Sequence, residues 1–150
     1  MGKKKQSPPP AFATAGRNIH FTPMYDDQLN SPAFIALPAV ASLIYLYLRQ
    51  QFRGDYTGNK VICTYDMLCD KGISRNTIAT SIRILEALGF ISCERGGLGN
   101  QPSIYRFVEG WKLIPTEEKA RQLVKQVRKA AKEEERFRKK AKEQISDGAS

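Results

Sequence analysis

The stretch GISRNTIATSIRILEALGFI, residues 72–91, decides how this chain is read. Gly72 permits a tight turn, Ile73 serves as an apolar plug, and Ser74 is placed to cap a helix whose first residue is Arg75. At about 100° per residue, Ile78, Ile82 and Leu85 share one side, with Ser81 and Leu88 at its edge. Asn76, Thr80, Arg83 and Ala87 fall opposite, so the helix is predicted to bury one face and offer a polar one. Gly89 ends it, and the alternation over 90–95, FISCER, starts a strand.

Downstream, the loop 96–102 (GGLGNQP) and the returning run 103–108 (SIYRFV) complete a β-hairpin with a glycine-rich tip. Upstream, Ser31-Pro32 is a helix start, with Ser31 as cap and Pro32 in the first turn. The run AFIALPAVASLIYLYL, residues 33–48, is the most apolar in the chain, yet its 16 residues fall short of the roughly 20 that a bilayer requires. Pro38 divides it. A short turn is expected to end at Leu37, and a long core helix to follow with Leu37, Val40, Ile44, Leu48 and Phe52 inward and Leu43 and Tyr47 widening the stripe. Gly54 and Gly58 mark a turn, residues 60–63 (KVIC) a small strand, and Thr64 the cap of a short helix over 65–71.

Residues 1–30 carry Lys3 to Lys5 and a proline run with no periodicity, the composition of a mostly disordered basic arm. Its end holds Phe21, Met24, Tyr25 and Leu29, enough apolar surface to lie across a domain. Residues 116–145 are rich in Lys, Arg, Glu and Ala, and read as a long charged helix. Leu123, Val127, Ala130, Phe137 and Ala141 trace a thin seam on it, interrupted by Glu134. The domain plan is therefore an arm over 1–30, a folded domain over 31–111 and a helical tail over 112–150.

The formal net charge of +9 points to a polyanionic partner. Residues 1–31 contribute four basic against two acidic side chains, 32–111 eight against six, and 112–150 twelve against seven. Most of the surplus lies in the tail, so any reading surface has to be sought in the middle. Cys63, Cys69 and Cys93 form no CxxC pair, and His20 is the single histidine, so no zinc ligand set is visible and the thiols read as free in a reducing cytoplasm. The proline run at Pro8 to Pro10 interrupts the apolar segment that a signal peptide would require.

Long helix, short strand, short helix, tight turn, amphipathic helix and hairpin follow one another in that order. In this order the chain resembles the winged helix-turn-helix superfamily of DNA-binding domains, and the resemblance covers about residues 32–108. It rests on GISRNTIATSIRILEALGFISCERGG, with its turn, its Ser-x-x-Thr helix start, its Leu-x-x-Leu-Gly helix end and the strand leading into the wing. SPAFIALP, YLYL and GNQPSIYRF further resemble small winged-helix proteins of bacteria and phages, including amino-terminal domains of plasmid or phage replication initiators. The resemblance implies an α+β fold and a transcriptional regulator or replication-control factor of a bacterial mobile element, working in the cytoplasm at the nucleoid.

The chemistry of the side chains points the same way. A helix fits the major groove, where Arg reads guanine, Asn reads adenine, and Thr reaches a base or a phosphate. Arg75, Asn76, Thr77, Thr80 and Arg83 are those residues here, and Arg95, Asn100, Gln101 and Ser103 ride a hairpin tip able to approach the backbone or minor groove. Arg106 and Lys71 are placed to hold phosphates. The plain alternative is a solvated helix face, as most such faces are. No catalytic residues, cofactor or metal are expected, because no nucleophile motif, general-base histidine or phosphate loop is present, and the chain is read as a non-enzyme. Double-stranded DNA is the expected partner, with a homodimer on a palindrome and a protein held by the carboxyl-terminal helix as further partners and no membrane association. Two other readings compete: a winged-helix module whose polar face meets protein, and RNA binding driven by the tail.

Overall fold

Four helices begin on hydroxyl caps. Ser31 Oγ accepts from Phe34 N–H at 3.2 Å, Thr64 from Met67 at 3.3 Å, Ser74 from Thr77 at 3.3 Å and Thr116 from Lys119 at 3.3 Å. The computed structural model that shows these contacts describes residues 22–52, 59–96 and 101–148. The amino-terminal basic run, the turn at Gly54 and Gly58, and Asn100 at the hairpin tip lie outside the described residues.

The elements are α1 (Asp26–Leu29), α2 (Pro32–Ile35), α3 (Ala39–Gln51), β1 (Lys60–Ile62), α4 (Tyr65–Cys69), α5 (Arg75–Ala87), β2 (Ile91–Glu94), β3 (Ile104–Phe107), a 3-10 turn (Gly110–Leu113) and α6 (Glu117–Asp147). The fold is α+β. Its sheet is antiparallel with the order β1-β3-β2, so the third strand lies between the other two. Tyr105 on the central strand faces Val61 on one side and Cys93 on the other, and its side chain is buried. Asn59, in the left-handed conformation that asparagine tolerates, lengthens this pairing: its Nδ2 donates to Phe107 O at 2.8 Å and its Oδ1 accepts from Phe107 N–H at 3.4 Å.

α3 and α5 pack on each other, burying Ala41, Ile44, Tyr45 and Leu48 from one and Ile78, Ile82, Ile84 and Leu85 from the other. Each such large apolar side chain contributes roughly 1.5–3 kcal/mol. Phe90, just past the end of α5, is the hub of an aromatic cluster, edge-on to Phe34 and Tyr45 and stacked on Trp111. Leu37, Ile44 and Leu48 turn inward as expected, with Tyr47 and Phe52 packed against the core, but the edge of the α3 stripe is shifted. Val40 and Leu43 remain 38% and 39% exposed, and Ala41 and Tyr45 take their place. The reason is polar: Gln28 of α1 is buried and its Nε2 donates to Tyr45 Oη at 2.7 Å, which satisfies the hydroxyl that core burial would otherwise strand. The end of the arm therefore docks through Gln28 and Met24, while Tyr25 and Leu29 stay exposed.

α6 is joined to the same core. Ala120 and Val124 are buried, Leu123 and Val127 pack against the cluster, and the helix touches both α2 and α5. The inward stripe of α6 is thus 120, 123, 124 and 127, which keeps Leu123 and Val127 of the expected seam but leaves Ala130 and Ala141 exposed and Phe137 74% exposed. Among the described residues, no helix is long and apolar enough to cross a membrane.

Candidate nucleic-acid interface

The turn between α4 and α5 is tight because Gly72 adopts a φ of +86° and its N–H donates to Cys69 O at 2.9 Å. Ile73 then drops into the core, and Ser74 starts α5. Arg75 is thereby set at the first turn of the helix, exposed and ion-paired with Asp66 of α4. Thr77 closes the cap, its hydroxyl 2.8 Å from Ser74 Oγ, which ties this candidate contact residue to a structural role. Asn76 is exposed beside it. Lys71 lies just before the turn, its ammonium 5.4 Å from the centroid of Tyr47.

Glu86 fixes the hairpin to the helix. Its Oε1 accepts from Cys93 N–H at 3.2 Å and its Oε2 from Arg95 Nη2 at 3.2 Å, so one α5 carboxylate holds both the backbone and a side chain of the β2 edge. Arg106 on β3 pairs with Glu94 at 3.1 Å across the same hairpin. Gly96 and Gln101 bring the two arms together: a Cβ on Gly96 would fall 1.9 Å from Gln101 O, which excludes any side chain there. Gln101 is exposed and Ser103 half-buried, close to Cys93 and Tyr105. Burial raises the Cys93 thiol and the Tyr65 and Tyr105 hydroxyls above their ordinary values, so these groups stay protonated at neutral pH.

The polar side of α5 is not open along its whole length. α6 crosses it, and Arg83 Nη2 donates to Glu134 Oε2 at 2.8 Å. This hydrogen bond raises the Arg83 guanidinium above its usual value and holds the Glu134 carboxyl below the usual carboxylate range. The two helices enclose a groove of about 280 Å³ lined by Asn76, Thr80 and Arg83 from α5 and by Arg128, Lys132 and Arg138, among others, from α6. Four cations therefore share it with Glu134 and Glu135. A second opening, between the start of α3 and α5, also reaches Asn76, Thr77 and Thr80 and again meets Arg128.

The structure thus gathers Asn76, Thr80 and Arg83 at one helix-to-helix contact and sets Arg95, Gln101 and Arg106 on the hairpin that Glu86 holds beside α5. Arg128, Lys132 and Arg138 join them from α6, a helix on which the sequence alone marks no candidate contact. Only their charge marks them there, and they share it with the other cations of α6. Comparisons of the chain with protein-family models, with curated proteins and with solved structures find no match.

Proposed function

We propose that this chain is a winged helix-turn-helix protein that binds double-stranded DNA with sequence preference, regulating transcription or replication. The observation that carries the reading is a composite one: a glycine turn sets a capped, polar-faced α5 after α4, and a hairpin with three basic or amide side chains is clamped to that same helix through Glu86. The element order with the sheet order β1-β3-β2 supports the winged-helix assignment. The net charge of +9 supports a polyanion as partner. In this reading Arg75 and Asn76 enter the major groove, with Thr80 and Arg83 behind them, and Arg95, Gln101 and Arg106 hold the flanking backbone.

The test is binding of the whole chain to random-sequence duplexes at several salt concentrations. With six to ten phosphate contacts, affinity falls by roughly 10³ to 10⁵ between 50 and 200 mM salt, and selected sites outcompete bulk DNA. A flat salt response, or no binding at low salt, overturns the proposal.

A second reading has one specific observation behind it. The polar face of α5 already receives a helix, through Arg83 and Glu134, which is the kind of contact a protein-docking face makes. Under that reading, R75E/R83E leaves DNA affinity unchanged.

A further inference from the structure

B-DNA's major groove is about 12 Å wide and admits one helix. Helices in contact lie about 8–10 Å apart, so α5 with α6 laid across its polar side is too broad to enter it. The carboxyl-terminal half of α6 is the obstacle, and three observations bear on its purpose. Residues 128–142 hold eight basic side chains, and the acids among them are consecutive, Glu133, Glu134 and Glu135. Two of these, Glu134 and Glu135, line the groove against α5, and Glu134 bonds Arg83, the most carboxyl-terminal cation of the α5 polar face. Past Val127 no described residue of α6 is buried, and Ala131 alone is half-buried.

We infer that the carboxyl-terminal half of α6 is a self-inhibitory latch, in which the Glu134 carboxylate occupies Arg83 in place of nucleic acid and must be displaced before α5 can read DNA. The inference rests on the DNA-binding reading of α5. The latch is weak enough to open. The ion pair is exposed on both sides, 34% and 51%, where such contacts contribute little. The segment beyond Ala131 is held to the body by little else, and a helical stretch of this length is marginal by itself, so local fraying releases it without disturbing Ala120 and Val124. Its six cations are drawn to phosphates once duplex is near, so the arm that blocks α5 in the free protein adds to the grip after release.

The experiment compares duplex affinity of the wild-type chain, E134Q and E133Q at one low salt concentration. The two variants remove the same charge from adjacent positions, and Glu133 is not among the residues lining the groove. E134Q is expected to bind about threefold to fivefold more tightly than E133Q, the range that release of one exposed ion pair allows. Equal gains in the two variants overturn the latch and leave the DNA reading standing. Failure of all three proteins to bind duplex at about 50 mM salt overturns both.

Discussion

Gly72 and Gly89 bracket the helix on which function is placed, and they do so for different reasons. Both have positive φ, +86° and +78°. A Cβ at Gly72 meets nothing within 4 Å, whereas one at Gly89 falls 2.5 Å from the Gly110 carbonyl carbon and 2.7 Å from Trp111 N. Gly72→Ala should therefore cost only the backbone strain, about 1–2 kcal/mol. At Gly89 the same change also forces apart the chain crossing that places Trp111 on Phe90, so Gly89→Ala should cost about 3 kcal/mol or more. Urea denaturation of the two variants checks this, and equal losses would contradict it. Arg83 and Glu134 supply a second prediction at this scale. A carboxyl held below its ordinary range favours the closed contact fully above that range and loses it as pH falls through the depressed value. The Arg83–Glu134 contact should thus hold at neutral pH and loosen in acid. Following the Glu134 side-chain carboxyl by NMR should show a low titration midpoint that rises to the ordinary range in R83Q.

At the scale of elements, the helix starts were legible and the helix faces only in part. Ser31, Thr64 and Ser74 announce three helices because a capping hydroxyl acts locally, on an N–H three residues away, and Thr116, which the sequence reading takes as the first residue of the charged helix, proves to cap α6 in the same way. Over 39–48 of α3 every residue but Ser42 is apolar, so periodicity cannot separate two neighbouring stripes. The choice fell to Gln28, whose bond to Tyr45 spans 17 positions and leaves no local mark. The polar face of α5 is separable from its buried one in the sequence, but its cover is not, because Arg83 meets Glu134 across 51 positions and any of several acids could serve. α6 divides into an anchored half and a free half, and the halves should respond differently to truncation of an apolar side chain. Val124 is 5% exposed against the core, so Val124→Ala should cost roughly 1–3 kcal/mol. Phe137 is 74% exposed, and Phe137→Ala should stay within about 0.5 kcal/mol in spite of its larger loss of carbon. Thermal melts of the pair decide whether α6 is anchored as described.

At the scale of the whole molecule, the proposed DNA binding assigns specificity and affinity to different parts of the chain. The folded middle carries an excess of +2 and residues 112–150 one of +5, so under the proposed DNA binding long-range attraction would come chiefly from the carboxyl-terminal residues. The side chains that the proposed function assigns to base reading lie on α5. Each phosphate contact on duplex DNA steepens the dependence of log affinity on log salt by about 0.9, and it does so whatever the sequence. Lys139, Lys140 and Lys142 are exposed in the free half of α6, away from the core. Replacing all three by glutamine should weaken binding to every duplex by a common factor and flatten the salt slope by up to about 3. Asn76→Ala should do the reverse: the slope is kept, and discrimination at one adenine falls by about 1–3 kcal/mol. Anisotropy titrations over a salt series, run on a selected site and on a scrambled one, separate the two effects. If the lysine variant lost its preference for the selected site while Asn76→Ala kept it, base reading would belong to α6 and the assignment of roles to α5 and α6 would be reversed.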